Sequence, residues 1–229
     1  MPTDPEQYIV ALETSTPFAS VALKPATGEI SRRSFHSDRN HNSLLFAPLA
    51  ELLHGISPEE IGLVLVGSGP GSYSGTRAGI AAAQGIALAA GCPCIALPSI
   101  LAVPQADAGI PFRAIGDARR GTFWFAEMMG SQLTKEPLLC DATQLTAELE
   151  AAAAAKIPVI SFEEPRRFPV DPILAESIRV EFPDAARLLR AWQTSSGECR
   201  SRWLSAIPQP IYLKPPHVTP GKRASFFTP

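Results

Sequence analysis

The chain has 229 residues, of which 45% are hydrophobic and 18% are charged, and its formal net charge is −2. The apolar fraction is large enough for a buried core and excludes a disordered chain, while the nearly balanced charge excludes a uniformly basic nucleic-acid-binding protein. Residues 1–7 lack the basic start and apolar run of a secretory signal, and no apolar run is long enough to span a membrane. We therefore expect a cytoplasmic protein without a membrane segment.

The first half of the chain predicts the element order βββαβα. Apolar and polar residues alternate over residues 8–14, 20–24 and 29–35, which indicates a three-stranded meander. The next predicted elements are a helix over 42–54 that Pro48 should bend, a buried strand over 63–66, a helix over 76–90 and a strand over 94–97.

A similar order recurs more weakly in the second half. Strands are predicted over 113–116, 122–128, 137–140 and 158–162, helices over 143–155 and 184–195, a short strand over 211–213, and irregular structure over 163–172. Two related α/β lobes explain this repeat better than one doubly wound sheet, which would place a helix between nearly all strands. We expect an N-terminal lobe over 1–106, a C-terminal lobe over 107–214 and a mobile tail over 215–229.

Glycine is concentrated in one segment, because eight of the 16 glycines lie within residues 62–91. Residues 67–77 read GSGPGSYSGTR between a predicted strand and a predicted helix. A turn of this kind can present backbone N–H groups to an anion. Its spacing, however, fits neither the P-loop nor the dinucleotide-binding pattern. The sequence is consistent with either a structural turn or an anion-binding turn.

The residues around this turn resemble a known family. VGSGPGSYSGTRAG at 66–79, followed by AQGIAL at 83–88, resembles the signature of the bacterial tRNA threonylcarbamoyladenosine biosynthesis family TsaB, also called YeaZ. Further similar segments are ALETST at 11–16, NHNSLL at 40–45, GDARRGTFW at 116–124 and PIYLK at 210–214. The resemblance implies a two-lobed actin-like, Hsp70-like ATPase fold with duplicated βββαβα subdomains.

The resemblance also implies a function and partners. Members of the family are non-catalytic subunits that dimerise with a TsaD-like catalytic paralogue, which forms N6-threonylcarbamoyladenosine next to the anticodon of tRNA. It further implies a TsaE-like ATPase as third protein, tRNA bound through the complex, and a homodimer when the chain is alone. The partner surface would lie on the predicted helices over 42–54 and 76–90. The candidate interface residues are Leu45, Leu49, Leu52, Gly79, Ala82, Ala83 and Leu88.

A nucleotide cleft is the second candidate site. Actin-like ATPases usually carry Asp-x-Gly near the first hairpin, whereas this chain carries Glu13-Thr14-Ser15, with Asp117 at the equivalent point of the second half. Each carboxylate could help to hold a hydrated Mg²⁺, or could instead accept hydrogen bonds from its own turn. The candidate cleft residues are Glu13, Ser15, Gly69, Gly71 and Asp117. Mg-ATP or Mg-ADP at a subunit boundary is the one cofactor left open, and neither a catalytic residue nor a metal ligand is predicted.

Two other functions stay open at this point. The chain could be an active nucleotide- or metal-dependent enzyme of the same fold, a glycoprotease-like hydrolase or a phosphotransferase that uses Glu13 and Asp117. It could also be a free-standing dimeric binding module. Residues 156–229 hold 11 basic and 7 acidic side chains, which favours contacts with tRNA phosphates in this part of the chain. The candidates for that contact are Arg187, Arg190, Arg200 and Arg202.

Overall fold

A computed structural model describes residues 7–36 and 44–213 of the chain. The first elements are β1 (Tyr8–Glu13), β2 (Phe18–Lys24), β3 (Ser31–His36), α1 (Phe46–Leu52), β4 (Ile61–Gly67), α2 (Tyr73–Ala90) and β5 (Cys94–Leu97). The five strands form a mixed sheet in the order β3-β2-β1-β4-β5, with β2 antiparallel to β1 and β3, and β4 parallel to β1 and β5.

The central strands of this sheet are buried on both faces. Alternate residues of a strand point to opposite faces, and every residue of β4 is buried. Val64 and Val66 pack with α1 and α2 on one face, whereas Leu63 and Leu65 belong to the core on the other face. The uninterrupted apolar run that predicted a buried strand therefore reflects two cores separated by one sheet.

The second sheet repeats the order of the first. Its elements are β6 (Pro111–Asp117), β7 (Phe123–Met129), β8 (Gln132–Leu133), β9 (Leu138–Cys140), α3 (Ala142–Ala154), β10 (Val159–Ser161), α4 (Pro172–Glu176) and β11 (Ile178–Val180). The strands follow the order β11-β10-β6-β7-β8, and β9 also pairs with β7. As in the first sheet, the central strand β6 has an antiparallel neighbour, β7, on one side and a parallel neighbour, β10, on the other. The predicted duplication is thus present in the topology.

Two further helices follow, α5 (Ala185–Thr194) and α6 (Gly197–Ser205). Helix α5 packs on β1, β2 and β4 of the first sheet, where its first backbone amide, that of Ala185, donates a hydrogen bond of 2.9 Å to Ser20 Oγ. Its apolar residues, including Leu188 and Leu189, share one core with Phe112 and Trp124 of the second sheet. The helix therefore joins the two sheets through a continuous apolar interior.

Several sequence-based expectations need correction. The strand predicted over 211–213 is wrong, because these residues form no strand, although the Ile211 N–H donates to Ser68 O at 2.9 Å. Helix α6 was not predicted, and neither were α4 and β11 within residues 163–183. The first predicted helix is shorter than expected, since α1 spans Phe46–Leu52 with Pro48 in its first turn, where a missing N–H breaks no intrahelical bond. Residues 42–43 and the predicted tail over 215–229 lie outside the described residues.

No helix within the described residues is both long enough and apolar enough to cross a membrane.

Candidate functional site

The turn after β1 packs against the glycine-rich segment over a long sequence distance. A Cβ atom at Gly67 would overlap the Glu13 carboxyl, one at Gly79 would overlap Thr14 Oγ1, and one at Gly71 would overlap the backbone oxygen of Ser15. Each of the three successive residues Glu13, Thr14 and Ser15 is thus in close contact with one glycine. We call these six residues the glycine lock. Gly67, Gly71 and Gly79 serve close approach between two segments, which only a residue without a side chain allows.

Hydrogen bonds close the glycine lock further. Thr14 Oγ1 donates to Gly75 O at 2.8 Å, and the Ser72 N–H donates to Ser15 O at 2.6 Å. Other backbone N–H groups of this segment also donate within the protein: Ser68 to Leu97 O, Gly69 to Ser99 Oγ, Gly75 to Ser72 Oγ and Thr76 to Ser72 O. These amides would have to break existing bonds before they could bind a phosphate, so the geometry favours a structural turn over an anion-binding turn.

Glu13 is fully buried within the lock. Its Oε1 accepts a 2.7 Å hydrogen bond from the Ser15 N–H, while Oε2 has no hydrogen-bond partner. Burial raises the pKa of the Glu13 carboxyl, and hydrogen bonding from Ser15 and the nearby Ser99 hydroxyl opposes the shift without cancelling it. A carboxyl in this position is poorly suited to present a negative charge to a metal ion in the cleft.

Asp117 occupies the equivalent position at the end of β6 and has a different environment. Its Oδ1 accepts a 2.6 Å hydrogen bond from the Arg119 N–H, and Oδ2 lies 3.2 Å from Arg119 Nη1. Glu163 follows the neighbouring strand β10 and lies close enough to interact electrostatically with Asp117 and Arg119. Burial raises the pKa of Glu163, although its hydrogen bond with Ser161 Oγ works in the opposite direction.

A cleft of about 780 Å³ separates the ends of β1 and β6. Ser15, Gly71 and Asp117 of the predicted cleft set line it, whereas Glu13 and Gly69 do not. Its aromatic lining includes Trp124, whose ring meets Phe162 edge-on at 6.4 Å, and Tyr73, whose ring lies 6.0 Å from that of Tyr212. The structure thus brings part of the predicted set together around an aromatic cavity.

The donor set does not fit a Mg-nucleotide held by this loop. No group of three or more His, Cys, Asp or Glu side chains that could hold a metal occurs in residues 7–36 and 44–213. Glu13 is enclosed under Gly67, Asp117 is paired with Arg119, and the backbone amides of Ser68, Gly69 and Ser72 already donate within the protein. No chemical step through a nucleotide or a metal ion is therefore derived for these residues.

Most of the predicted interface residues lie in the interior of the first lobe. Leu45, Leu49, Leu52 and Ala83 are buried in the core beneath α1 and α2, and Gly79 faces Thr14. Ala82 is partly exposed and Leu88 is 85% exposed. The prediction that these five buried residues contact a partner is corrected, because they pack within the chain itself.

The predicted RNA-contacting arginines are partly engaged within the protein. Arg187 Nε lies 2.8 Å from Asp107 Oδ2, and Arg190 Nη1 lies 3.7 Å from the same oxygen. Arg200 lies over the ring of Trp192, 5.8 Å from its centroid, and Arg202 is exposed on α6. The four arginine side chains therefore have different local contacts.

Cleft residues that the sequence analysis did not name include Trp124, Glu163 and Arg167. Gly116 is the sequence feature that could have indicated a bulky neighbour such as Trp124. The two residues are paired across β6 and β7, and a Cβ at Gly116 would overlap the indole ring. Glu163 and Arg167 lie in the Pro-rich segment, where no motif pointed to a cleft.

Fold and site together define a two-lobed, actin-like α/β protein whose glycine-rich segment is closed by internal contacts. A family model described as "TsaD: tRNA N6-adenosine threonylcarbamoyltransferase" matches residues 34–168. Because that match covers more than half of the chain, the chain belongs to this family.

Individual relatives agree with this assignment. The tRNA threonylcarbamoyladenosine biosynthesis protein TsaB of Escherichia coli (strain K12) is 32% identical over 125 residues, which are 52% of this chain and 54% of that protein. TsaB of Haemophilus influenzae is 30% identical over 135 residues, 56% of each chain. The match thus spans about half the length of these curated relatives.

Solved structures confirm the fold class. YeaZ from Pseudomonas aeruginosa superposes with a TM-score of 0.66 at 22% identity, covering 90% of this chain and all of that one. An uncharacterized protein with similarity to peptidase YeaZ from the same organism gives 0.68 at 23% identity, with 91% and 100% coverage. The predicted resemblance to the TsaB (YeaZ) family and the predicted actin-like fold are both confirmed.

Proposed function

We propose that this chain is a non-catalytic subunit in the formation of N6-threonylcarbamoyladenosine in tRNA, where it binds and activates a TsaD-like catalytic subunit. The names of its relatives and its family support the pathway. In this proposal a TsaE-like ATPase and tRNA join through the assembled complex.

The glycine lock is the observation that carries the non-catalytic role. In the first lobe, the residues that would meet a phosphate or a metal ion in an active enzyme of this fold are used for internal packing. Glu13 is buried and the amides of Ser68, Gly69 and Ser72 have protein acceptors. Catalytic donors have to be aimed at the place where charge develops in the reaction, whereas these groups are already aimed at partners within the protein.

Helix α2 is proposed to supply the partner surface. Because most of the residues predicted for this surface are buried, we propose that other residues of the helix form it. Its outer face exposes small and apolar side chains, and a Cβ at Gly85 would meet no atom within 4 Å. We call the residues of this face the outer stripe: Ala81, Gly85, Leu88 and Ala89. Small residues along one helix face allow a partner helix to approach closely. The same stripe is proposed to form the homodimer when the chain is alone.

A matched pair of substitutions tests this surface. Leu88→Arg places a charge in the outer stripe, and Ile173→Arg places one at a similarly exposed residue on α4, since Leu88 is 85% and Ile173 80% exposed. Leu88→Arg should keep its circular dichroism spectrum and melting temperature, lose co-purification with the TsaD-like protein, and lower the threonylcarbamoyladenosine content of cellular tRNA. Ile173→Arg should behave as the unchanged chain. Normal partner binding and normal tRNA modification in Leu88→Arg would exclude the outer stripe.

A separate measurement tests the alternative that the chain is an active nucleotide-dependent enzyme. Isothermal calorimetry with Mg-ATP on the isolated chain, followed by assay of released phosphate, should give no turnover. Turnover that Glu13→Gln or Asp117→Asn abolishes would instead establish an active enzyme of the same fold.

A further inference from the structure

Arginines cluster on two adjacent loops at one mouth of the cleft. Strands β6 and β10 are parallel neighbours, so the loops that follow them leave the same edge of the second sheet. The loop after β6 carries Arg119 and Arg120, and the short turn of 3-10 helix after β10 carries Arg166 and Arg167. Arg119 and Arg167 both line the cleft. Four guanidinium groups are therefore presented from a rigid sheet edge.

Three of these arginines are exposed and are not paired with any other residue of the described part of the chain. Within residues 7–36 and 44–213, the side chains of Arg120, Arg166 and Arg167 make no hydrogen bond or ion pair and are exposed. Arg187 and Arg190, by contrast, share Asp107. An arginine that is already paired has to give up its partner to bind a phosphate, whereas an unpaired one does not.

The acidic side chains near this cluster are fewer than the arginines, and most of them are less exposed. Asp117 is paired with Arg119, and its side chain is 17% exposed. Glu163 is partly buried and bonded to Ser161, which leaves Glu164 as the exposed carboxylate in the turn that carries Arg166 and Arg167. The exposed surface of the two loops is therefore net positive.

A cluster of aromatic rings around the exposed Phe18 lines the same cleft. Phe18 is 49% exposed, and its ring lies 4.3 Å from that of Phe182 and 4.8 Å from that of His36. All three residues line the cleft together with Arg119 and Arg167. Unpaired bases of RNA loops stack on such rings while arginines bind the adjoining phosphates.

We propose that this cleft mouth binds a looped or single-stranded segment of RNA, with Arg120, Arg166 and Arg167 on its phosphates and Phe18 against a base. The choice of RNA rests on the proposed function, whereas the location rests on the four arginines and the aromatic cluster. A free phosphate ion would use the charge of the arginines but would gain nothing from Phe18. This site replaces Arg187 and Arg190 as the main phosphate contact.

Fluorescence anisotropy with an unmodified tRNA transcript tests the site, using the full chain alone and with its TsaD-like partner. The triple variant R120E/R166E/R167E should bind at least about tenfold more weakly than the unchanged chain, and its slope of log affinity against log salt should be shallower by about 2, at roughly 0.7 per phosphate lost. Phe18→Ala should weaken binding about fivefold or more through lost stacking, with little change in that slope.

A triple variant that keeps the charge and a double variant at the previously predicted arginines serve as controls. R120K/R166K/R167K should retain most of the affinity, and R187E/R190E should lose less than the first triple variant. The proposal is overturned if the Glu triple variant binds tRNA normally, if R187E/R190E has the larger effect, if the unchanged chain and complex bind no tRNA, or if inorganic phosphate competes as well as a second tRNA at equal phosphate concentration. Co-purification of the partner is recorded on the same samples, so that failure of the subunit assignment is seen separately from failure of the RNA site.

Discussion

The ends of β1 and β6 occupy the same place in two sheets of one topology, yet they differ in access to solvent. At the end of β1, the residues Glu13, Thr14 and Ser15 are buried, each against a glycine. At the end of β6, Asp117 is partly buried and paired with Arg119, and the turn that follows exposes Arg119 and Arg120 to solvent. The duplicated topology therefore fixes where the turns lie, whereas local packing decides which one can meet a ligand. The turn at the end of β1 is closed by internal packing, whereas the turn at the end of β6 is accessible to a ligand.

The largest expected effect comes from breaking the glycine lock. A Cβ in Gly71→Ala would overlap the backbone oxygen of Ser15, which cannot rotate away as a side chain could. We expect this variant to be less stable by about 3 kcal/mol or more, which corresponds to a melting temperature lower by roughly 6–12 °C for a chain of this size. Thermal unfolding followed by circular dichroism measures the loss.

Gly85→Ala is the matched control for that substitution. Gly85 lies in α2 with open space around its Cβ position, and alanine is the better helix former by about 1 kcal/mol. The control should therefore be slightly more stable than the unchanged chain, opposite in sign to Gly71→Ala. If both substitutions raised stability, the close approach of Gly71 to Ser15 would not exist in solution.

A smaller effect should follow from the buried carboxyl of the first turn. The pKa of Glu13 is raised above its ordinary value of 4.5 by burial. Between the ordinary value and the raised one, the folded chain binds more protons than the unfolded chain, so the free energy of unfolding falls as pH rises through this window. Glu13→Gln cannot ionise and still offers Oε1 to the Ser15 N–H. We expect it to match the unchanged chain at low pH and to be the more stable of the two at neutral pH.

Denaturant unfolding at a series of pH values measures the difference between the two curves. Glu163→Gln is the comparison from the second lobe, because burial also raises the pKa of Glu163, and the two contributions should add in the double variant. Parallel curves for the unchanged chain and Glu13→Gln would show that Glu13 is not buried as described.

The sequence predicted the elements of both sheets better than it predicted the exposed surfaces. The apolar run of β4 and the alternation of β1 are local signals, and both strands form close to the predicted positions. Periodicity shows which residues of a helix share a face. A face that packs on the chain's own sheet and a face that packs on a partner subunit, however, both need apolar side chains. Leu49 and Ala83 were for this reason predicted on the partner surface and lie in the core instead.

The glycine lock illustrates a second limit. The glycine motif and the Glu13-Thr14-Ser15 turn were both visible in the sequence, but their contact joins residues more than 50 positions apart, and no local pattern carries that pairing. The three-residue strand β11 is too short to show a period of two. What the sequence indicated was that the glycine-rich segment has unusual backbone demands, and the structure identifies the partner that creates them.

The smallest expected effect concerns the open turn. Arg119 and Arg120 have φ angles of 69° and 58°, a left-handed conformation that costs an L-residue about 1–2 kcal/mol but is free of steric cost for glycine. Arg120→Gly should remove that cost while adding roughly 0.5–1 kcal/mol of backbone entropy loss on folding, for a net gain in stability of up to about 1.5 kcal/mol. Arg120→Ala removes the same charge without relieving the backbone and should not share the gain, so a higher midpoint of unfolding for the glycine variant alone isolates the strain. Equal midpoints for both would mean that the turn relaxes in solution, and the rigid presentation of Arg120 beside the cleft would then lose its basis.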